Sequence, residues 1–263
     1  MFFLRHEVEG IVFYSCSALD AVPRLRHAFT TRVGGKGPFN LTVRPGSSLE
    51  AVQRNRLHLL NVLGFSAARL TTLSQIHSDI VHAVEPGADD RSVTREGDAL
   101  ITRQFGVAIA VQVADCFPIL LFDRDSGAMA AVHSGWRGTA ARILSKTLAC
   151  MEQAFGARRE SMMVAIGPGI RSCCMQVGPE VSERFGQEYP GHSLARPQAG
   201  REGKYLLDMP AALTLQCAEA GIPSDQIFDI GLCTRCRSDE FFSYRAEGAA
   251  AGRMVGLIGL SVP

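Results

Sequence analysis

Tryptophan is almost absent: the 263-residue chain has one, Trp136. A charge excess is absent as well. Lysine and arginine total 27, aspartate and glutamate 26, and the formal net charge is +1. The arginines are spread along the chain, so no clustered basic face for nucleic acid or a membrane surface is expected. Long apolar runs are also missing. "GVAIAVQVA" and "FPILLF" are strand-sized and bounded by Asp115 and Asp123, whereas a spanning helix needs about 20 apolar residues. The N-terminal "MFFLRHEVEG" meets charge at once and has no apolar centre of a signal peptide. These absences predict a cytoplasmic protein without nucleic-acid or membrane partners. Neither an internal repeat nor a biased linker breaks the chain, which predicts a single domain over 1–263. The apolar content of 46% is enough for a sizeable core. The eight cysteines are expected to be reduced thiols.

Strand patterns dominate what is present. "GIVFYSC" and "HAFTTR" come first, and "LTTLSQIHSDIVHAVE" reads as strand material running through His77. In "GVAIAVQVADC" the branched residues Val107, Ile109, Val111 and Val113 share one face, with Ala108 and Ala110 on the other. "PILLFD" and "GAMAAVH" predict a hairpin turning at "DRDSG". Later strands are "MMVAIG", "CCMQVG", "KYLLD", "QIFDIG" and "RMVGLIGL", and "SLARPQAGREG" reads as loop. Three helices are marked. One starts at a Ser47-x-x-Glu50 capping box and stops at Gly64; "GTAARILSKTLACMEQAFG" is a second; "DMPAALTLQCAEAG" has an Asp208 cap and stops at Gly221. Strands in runs, broken by single helices, predict an α+β fold with mixed sheets flanked by helices.

Three strand ends carry polar clusters: "LSQIHSD" with His77, "VQVADCF" with Cys116, and "AAVHSGWRG" with His133. The hairpin leaves from Cys116 and returns to His133, so its open end sets the two side by side. Two chemistries follow. His77, Cys116 and His133 can hold zinc through three protein ligands, leaving a coordination position open. Alternatively, Cys116 is a nucleophile and His133 its base, with no metal. A single histidine or cysteine at a strand end more often has a structural role, and three in similar contexts shift that balance. Trp136 is either a core anchor or a stacking surface for a base. Arg137 either pairs with Asp115 or binds an anion. Arg32, before the Gly34-Gly35 turn, is a second anion candidate. Asp115 and Asp98 are candidates for proton transfer or for orienting a ligand. "SCC" (172–174) and the C-x-x-C of "GLCTRC" raise a four-cysteine zinc site. Adjacent cysteines on a strand point to opposite faces, so that site is not expected.

The segments "QIHSD", "GDALIT…VADCFPILLFD", "AAVHSGWRGT", "IGPGIRSCCMQVGPEV" and "LCTRCRSDEFFSYR…GRMVGLIGL" resemble the YfiH family, also labelled multicopper polyphenol oxidase (laccase). The likeness runs from "TTRVGG" to the C-terminus. It implies one α+β domain of mixed sheets, related to the cytotoxic-necrotizing-factor fold. It implies His77, Cys116 and His133 as ligands of zinc, with copper as the alternative; Cys116, His133 and Asp115 are then the catalytic candidates. It implies purine nucleoside phosphorylase activity on adenosine, inosine and S-methyl-5'-thioadenosine, with adenosine deamination. Purine nucleosides and phosphate are the implied partners; Arg32 and Arg137 are then the candidates to hold phosphate and Trp136 to stack on the base, and oligomeric state is left open. Some relatives remove L-serine from a UDP-muramyl precursor, and a related toxin group uses the Cys/His pair as nucleophile and base. The laccase label fits the residues poorly, because a multicopper cluster needs many imidazoles, commonly in H-x-H pairs. The seven histidines include no H-x-H. Relatives often have Tyr-Glu where Met175-Gln176 stand, and Asn where Arg237 stands. Both departures are expected to bear on substrate preference.

Overall fold

The computed structural model describes residues 2–34, 37–43, 47–65, 70–84 and 95–262. Alternation along the central strands decides the layering. In the Val107–Val113 strand the branched residues enter one buried cluster and Ala108 and Ala110 another. In the Phe117–Asp123 strand, Leu120 and Phe122 join the first of these clusters, while Phe117, Ile119 and Leu121 enter a third.

One six-stranded sheet runs in the order Phe3–Val8, Ile11–Cys16, Leu25–Gly34, Met254–Leu260, Val107–Val113, Leu70–Thr71. A second runs Ile227–Asp229, Met162–Ile166, Phe117–Asp123, Met129–Ser134, Ala99–Thr102, Val81–Ala83. Both mix antiparallel and parallel pairs: Leu70–Thr71 is parallel to Val107–Val113 in the first, and Ile227–Asp229 to Met162–Ile166 and Val81–Ala83 to Ala99–Thr102 in the second. The sheets bury their facing sides against each other through Ile109, Val111, Ile258, Leu120, Phe122 and Met129. The outer side of the first is covered by the Leu49–Val62 helix through Leu59 and Leu60. Each of these leucines is 1% exposed, and its burial contributes about 2 kcal/mol. The outer side of the second is covered by the Ile143–Phe155 and Met209–Glu219 helices. The layers are therefore helix, sheet, sheet, helix, an α+β architecture. No helix of the described residues is long and apolar enough to cross a membrane.

Several local expectations change. The first long helix is capped by Ser48, which accepts from the Ala51 N–H. Ser47 instead accepts from the Asn40 amide. The helix expected through "GTAARILSK" breaks at Arg142, which sits at φ 59° between Trp136–Ala140 and Ile143–Phe155. Its guanidinium bonds Glu219 and the Glu188 carbonyl and lies over the Tyr189 ring, which compensates the strained backbone. The residues around His77 are not strand; only Leu70–Thr71 and Val81–Ala83 are. Two strands are additional: Phe3–Val8, and Ala195–Pro197 inside the stretch read as loop. Cys173 and Cys174 lie in a turn, and the strand begins only at Gln176. Residue 35 of the expected Gly-Gly turn lies outside the described residues.

Buried His27 carries a pH dependence. Its Nε2 accepts from the Cys16 N–H at 2.7 Å, so that nitrogen must be unprotonated. Burial outweighs the nearby Asp20 carboxylate and holds the imidazole down at about 4. The unfolded chain protonates it near 6.5, so stability falls as pH drops from about 6.5 to 4, by up to about 3 kcal/mol. His27→Gln is expected to flatten that slope in urea unfolding measured at pH 7 and pH 5. An unchanged slope would refute the assignment.

Candidate metal centre

The Phe117–Asp123 and Met129–Ser134 strands pair with Phe117 opposite Ser134 and Pro118 opposite His133. Cys116 therefore falls opposite Gly135, one step beyond the ladder. A Cβ at Gly135 would stand 2.9 Å from Cys116 Sγ and 3.1 Å from His77 Cδ2. The glycine leaves the space that the two side chains fill. Gly135→Ala is expected to displace them and weaken metal binding by about 10–100-fold, read by chelator competition. Wild-type affinity would show that this space is not needed.

Asp98 brings His77 to the same place. It is fully buried just before the Ala99–Thr102 strand, beside His133. Its carboxylate accepts from the backbone N–H groups of Ile76, His77 and Ser78 and from Ser78 Oγ. Folding the 76–78 backbone around one carboxylate bends it out of strand geometry and sets His77 at φ 60°. Asp98 Oδ1 also lies 2.7 Å from His133 Nδ1. That leaves His133 Nε2 for another partner.

The ligand atoms of His77, Cys116 and His133 all lie within 4.8 Å of one another, and Cys116 Sγ is 3.9 Å from His77 Nε2. Burial pushes the Cys116 thiol up, but the His133 and His77 imidazoles outweigh it and bring it down to about 6. Burial pushes His133 down, but Cys116 and Asp98 raise it to about 9. Burial would raise Asp98, yet its bonds from His133 and Ser78 hold it at about 2. A thiolate, an imidazole oriented by a carboxylate, and a second imidazole form an ordinary donor set for a divalent cation. Cation binding would release the proton shared by Cys116 and His133.

These groups lie in a cleft of about 660 Å³, a size suited to a small molecule. Trp136 and Asp115 also line it. Asp115, however, accepts from Thr234 Oγ1 with one oxygen and from the Arg245 N–H with the other, both at 2.6 Å. The arginines expected to hold an anion are placed elsewhere. Arg32 is bidentate to Glu247, bonds the Ser238 carbonyl and lies over Phe242. Arg137 is exposed and stacks over the Trp136 ring at 4.5 Å. Neither lines the cleft; Arg245 and Arg253 do, with Gln75 and Gln112. Arg245 stands in "FFSYR", just after the Ser243 cap, and its signal in the sequence was that this segment is among those resembling the family. Of the two departures from relatives, Met175 lines the cleft, while Arg237 pairs with Glu240.

The sequence matches the family described as multi-copper polyphenol oxidoreductase laccase over residues 26–261. The chain belongs to this family, the YfiH family of its motifs. A purine nucleoside phosphorylase of Deinococcus radiodurans is 38% identical over 247 residues, covering 91% of this chain and 90% of the relative. An adenosine deaminase, RL5, from an unknown prokaryotic organism is 34% identical over 238 residues, covering 86% and 90%. The crystal structure of YlmD from Geobacillus stearothermophilus superimposes with a TM-score of 0.88 at 28% identity, covering 99% of each chain.

Proposed function

We propose that this chain is a purine nucleoside phosphorylase with a second, adenosine-deaminating activity. The proposed substrates are adenosine, inosine and S-methyl-5'-thioadenosine. His77, Cys116 and His133 are the proposed metal ligands, with zinc as the ion. The observation that carries this reading is that these three donors converge in a nucleoside-sized cleft that guanidinium and amide groups also line. The phosphorylase and deaminase names of the relatives support the same substrate class.

When bound, zinc supplies Lewis acidity. The chain's own residues do the rest. Arg245 and Arg253, which line the cleft where Arg32 and Arg137 do not, are the proposed phosphate ligands, each braced by guanidinium bonds to backbone carbonyls. Trp136 offers an apolar face to the purine and Gln112, held by Thr42 on its Oε1, an amide to its edge, while Gln75 braces Gln112 by donating to its carbonyl and accepting from its N–H. Asp115 positions Arg245 through its backbone N–H. In phosphorolysis a phosphate oxygen bonds the anomeric carbon as the bond from that carbon to the purine nitrogen breaks. The base leaves with the electron pair and takes up a proton, giving free purine and ribose 1-phosphate. Deamination adds water at C6 and releases ammonia, giving inosine.

Zinc-replete protein with adenosine and phosphate is expected to yield adenine and ribose 1-phosphate; without phosphate, inosine and ammonia. Unchanged adenosine under both conditions would overturn the proposal. A metal-free reading, with Cys116 as nucleophile and His133 as base, is favoured by the thiol held at about 6. It requires activity in metal-free protein that a thiol alkylator abolishes.

A further inference from the structure

The second cysteine cluster lies outside the centre described above. On a strand, Cys173 and Cys174 would alternate and point to opposite faces. Instead they occupy a turn closed by bonds from the Cys174 and Met175 N–H groups to the Arg171 carbonyl. A turn, unlike a strand, can send neighbouring side chains to one side. Cys233 and Cys236 form a C-x-x-C on a second turn, in which the Arg237 N–H bonds the Cys233 carbonyl. The two turns are held together by the bridge between Gly169 and Cys233.

As a result, the four sulfurs lie within 4.8 Å of one another, with Cys236 at 3.5 Å from Cys173 and 3.4 Å from Cys174. Tetrahedral zinc with Zn–S bonds near 2.3 Å needs sulfurs about 3.8 Å apart, so seating the ion asks Cys236 to move only a few tenths of an ångström from Cys173 and Cys174. Donors to sulfur are also in place. The Arg171 N–H reaches Cys233 Sγ at 3.5 Å, and the Arg235 guanidinium reaches Cys174 Sγ at 3.7 Å. Four thiolates around one divalent ion leave a net negative charge, and such donors offset it. Cys233 is buried, Cys174 half-buried, and Cys173 and Cys236 exposed, so an ion can enter from solvent.

We propose that Cys173, Cys174, Cys233 and Cys236 bind one zinc ion in a closed, structural four-thiolate site. The site joins two turns that shape the cleft. Ile170 and Met175 line it from the first turn, and the Cys174 and Gln176 carbonyls accept from the Arg245 guanidinium. Thr234, from the second turn, holds Asp115. The ion thus fixes the frame behind Arg245.

The test separates this ion from the first. Elemental analysis of reduced, zinc-replete protein is expected to give about two zinc ions per chain, one per site. It should give about one in Cys116→Ala and about one in a Cys173→Ser, Cys236→Ser double variant. The serines replace exposed residues, so folding is retained, with His77→Ala as a second way to empty the first site. Cobalt(II)-loaded Cys116→Ala should show intense visible bands and near-ultraviolet charge transfer of a tetrahedral tetrathiolate. The added serine pair should abolish both. Three results would overturn the proposal: zinc content unchanged by the serine pair, no thiolate bands in the Cys116→Ala protein, or a Cys173–Cys236 disulfide in protein purified without metal loss.

Discussion

Cys116→Ala is expected to remove the ion at the His77 site and to lower kcat/KM for adenosine phosphorolysis on the order of a thousandfold or more. Cys116 is the sole anionic donor among the three. Without its thiolate, His133 also loses one of the two groups that raise it to about 9. Two imidazoles remain, and a two-ligand site binds zinc far more weakly than three. The fold should tolerate the change, because Cys116 lies at the open end of the hairpin, after the last ladder pair. Zinc content and turnover measured on the same preparation decide the matter. Full phosphorolysis by a metal-free Cys116→Ala protein would sink both the metal reading and the nucleophile reading. A metal-free wild type that is active until alkylated would favour the nucleophile.

The second large effect belongs to Asp98→Asn. The carboxylate is fully buried and receives donors on both oxygens: His77 N–H and His133 Nδ1 on Oδ1, Ser78 N–H and Oγ with Ile76 N–H on Oδ2. An amide replaces one acceptor with a donor, which then faces N–H groups that have nowhere else to turn. Breaking a buried charged network from one side costs about 3–5 kcal/mol. The 76–78 loop loses the charge that bends it, and His133 loses its orienting partner. Affinity for zinc should fall about 10–100-fold. Urea unfolding of the metal-free protein and chelator competition read the two effects separately. Wild-type values in both would show that Asp98 does not organise this site.

Part of the site was legible because it depends on local pairing. A hairpin of "PILLFD" and "GAMAAVH" sets Cys116 beside His133 whatever surrounds it, and the alternation in "GVAIAVQVA" separates the two faces of a central strand. Helix ends at Asp208 and Gly221 were equally local. Ser47 and Ser48 are both competent caps, and only contacts outside the helix distinguish them: the Asn40 amide bonds Ser47, and Ser48 caps the helix.

By itself, then, the sequence determined the α+β class, the layered faces of the central strands and the Cys116–His133 neighbourhood, because residue period and hairpin return act over short stretches. The tertiary structure alone decided the rest. Bending 76–78 into the site needed a carboxylate about 20 positions away. Arg32 could be assigned to Glu247 only across 215 residues of chain. The two cysteine pairs met because two turns about 60 residues apart close on each other. In each case the deciding partner is distant in the chain, and no pattern within a window records which distant group a side chain meets.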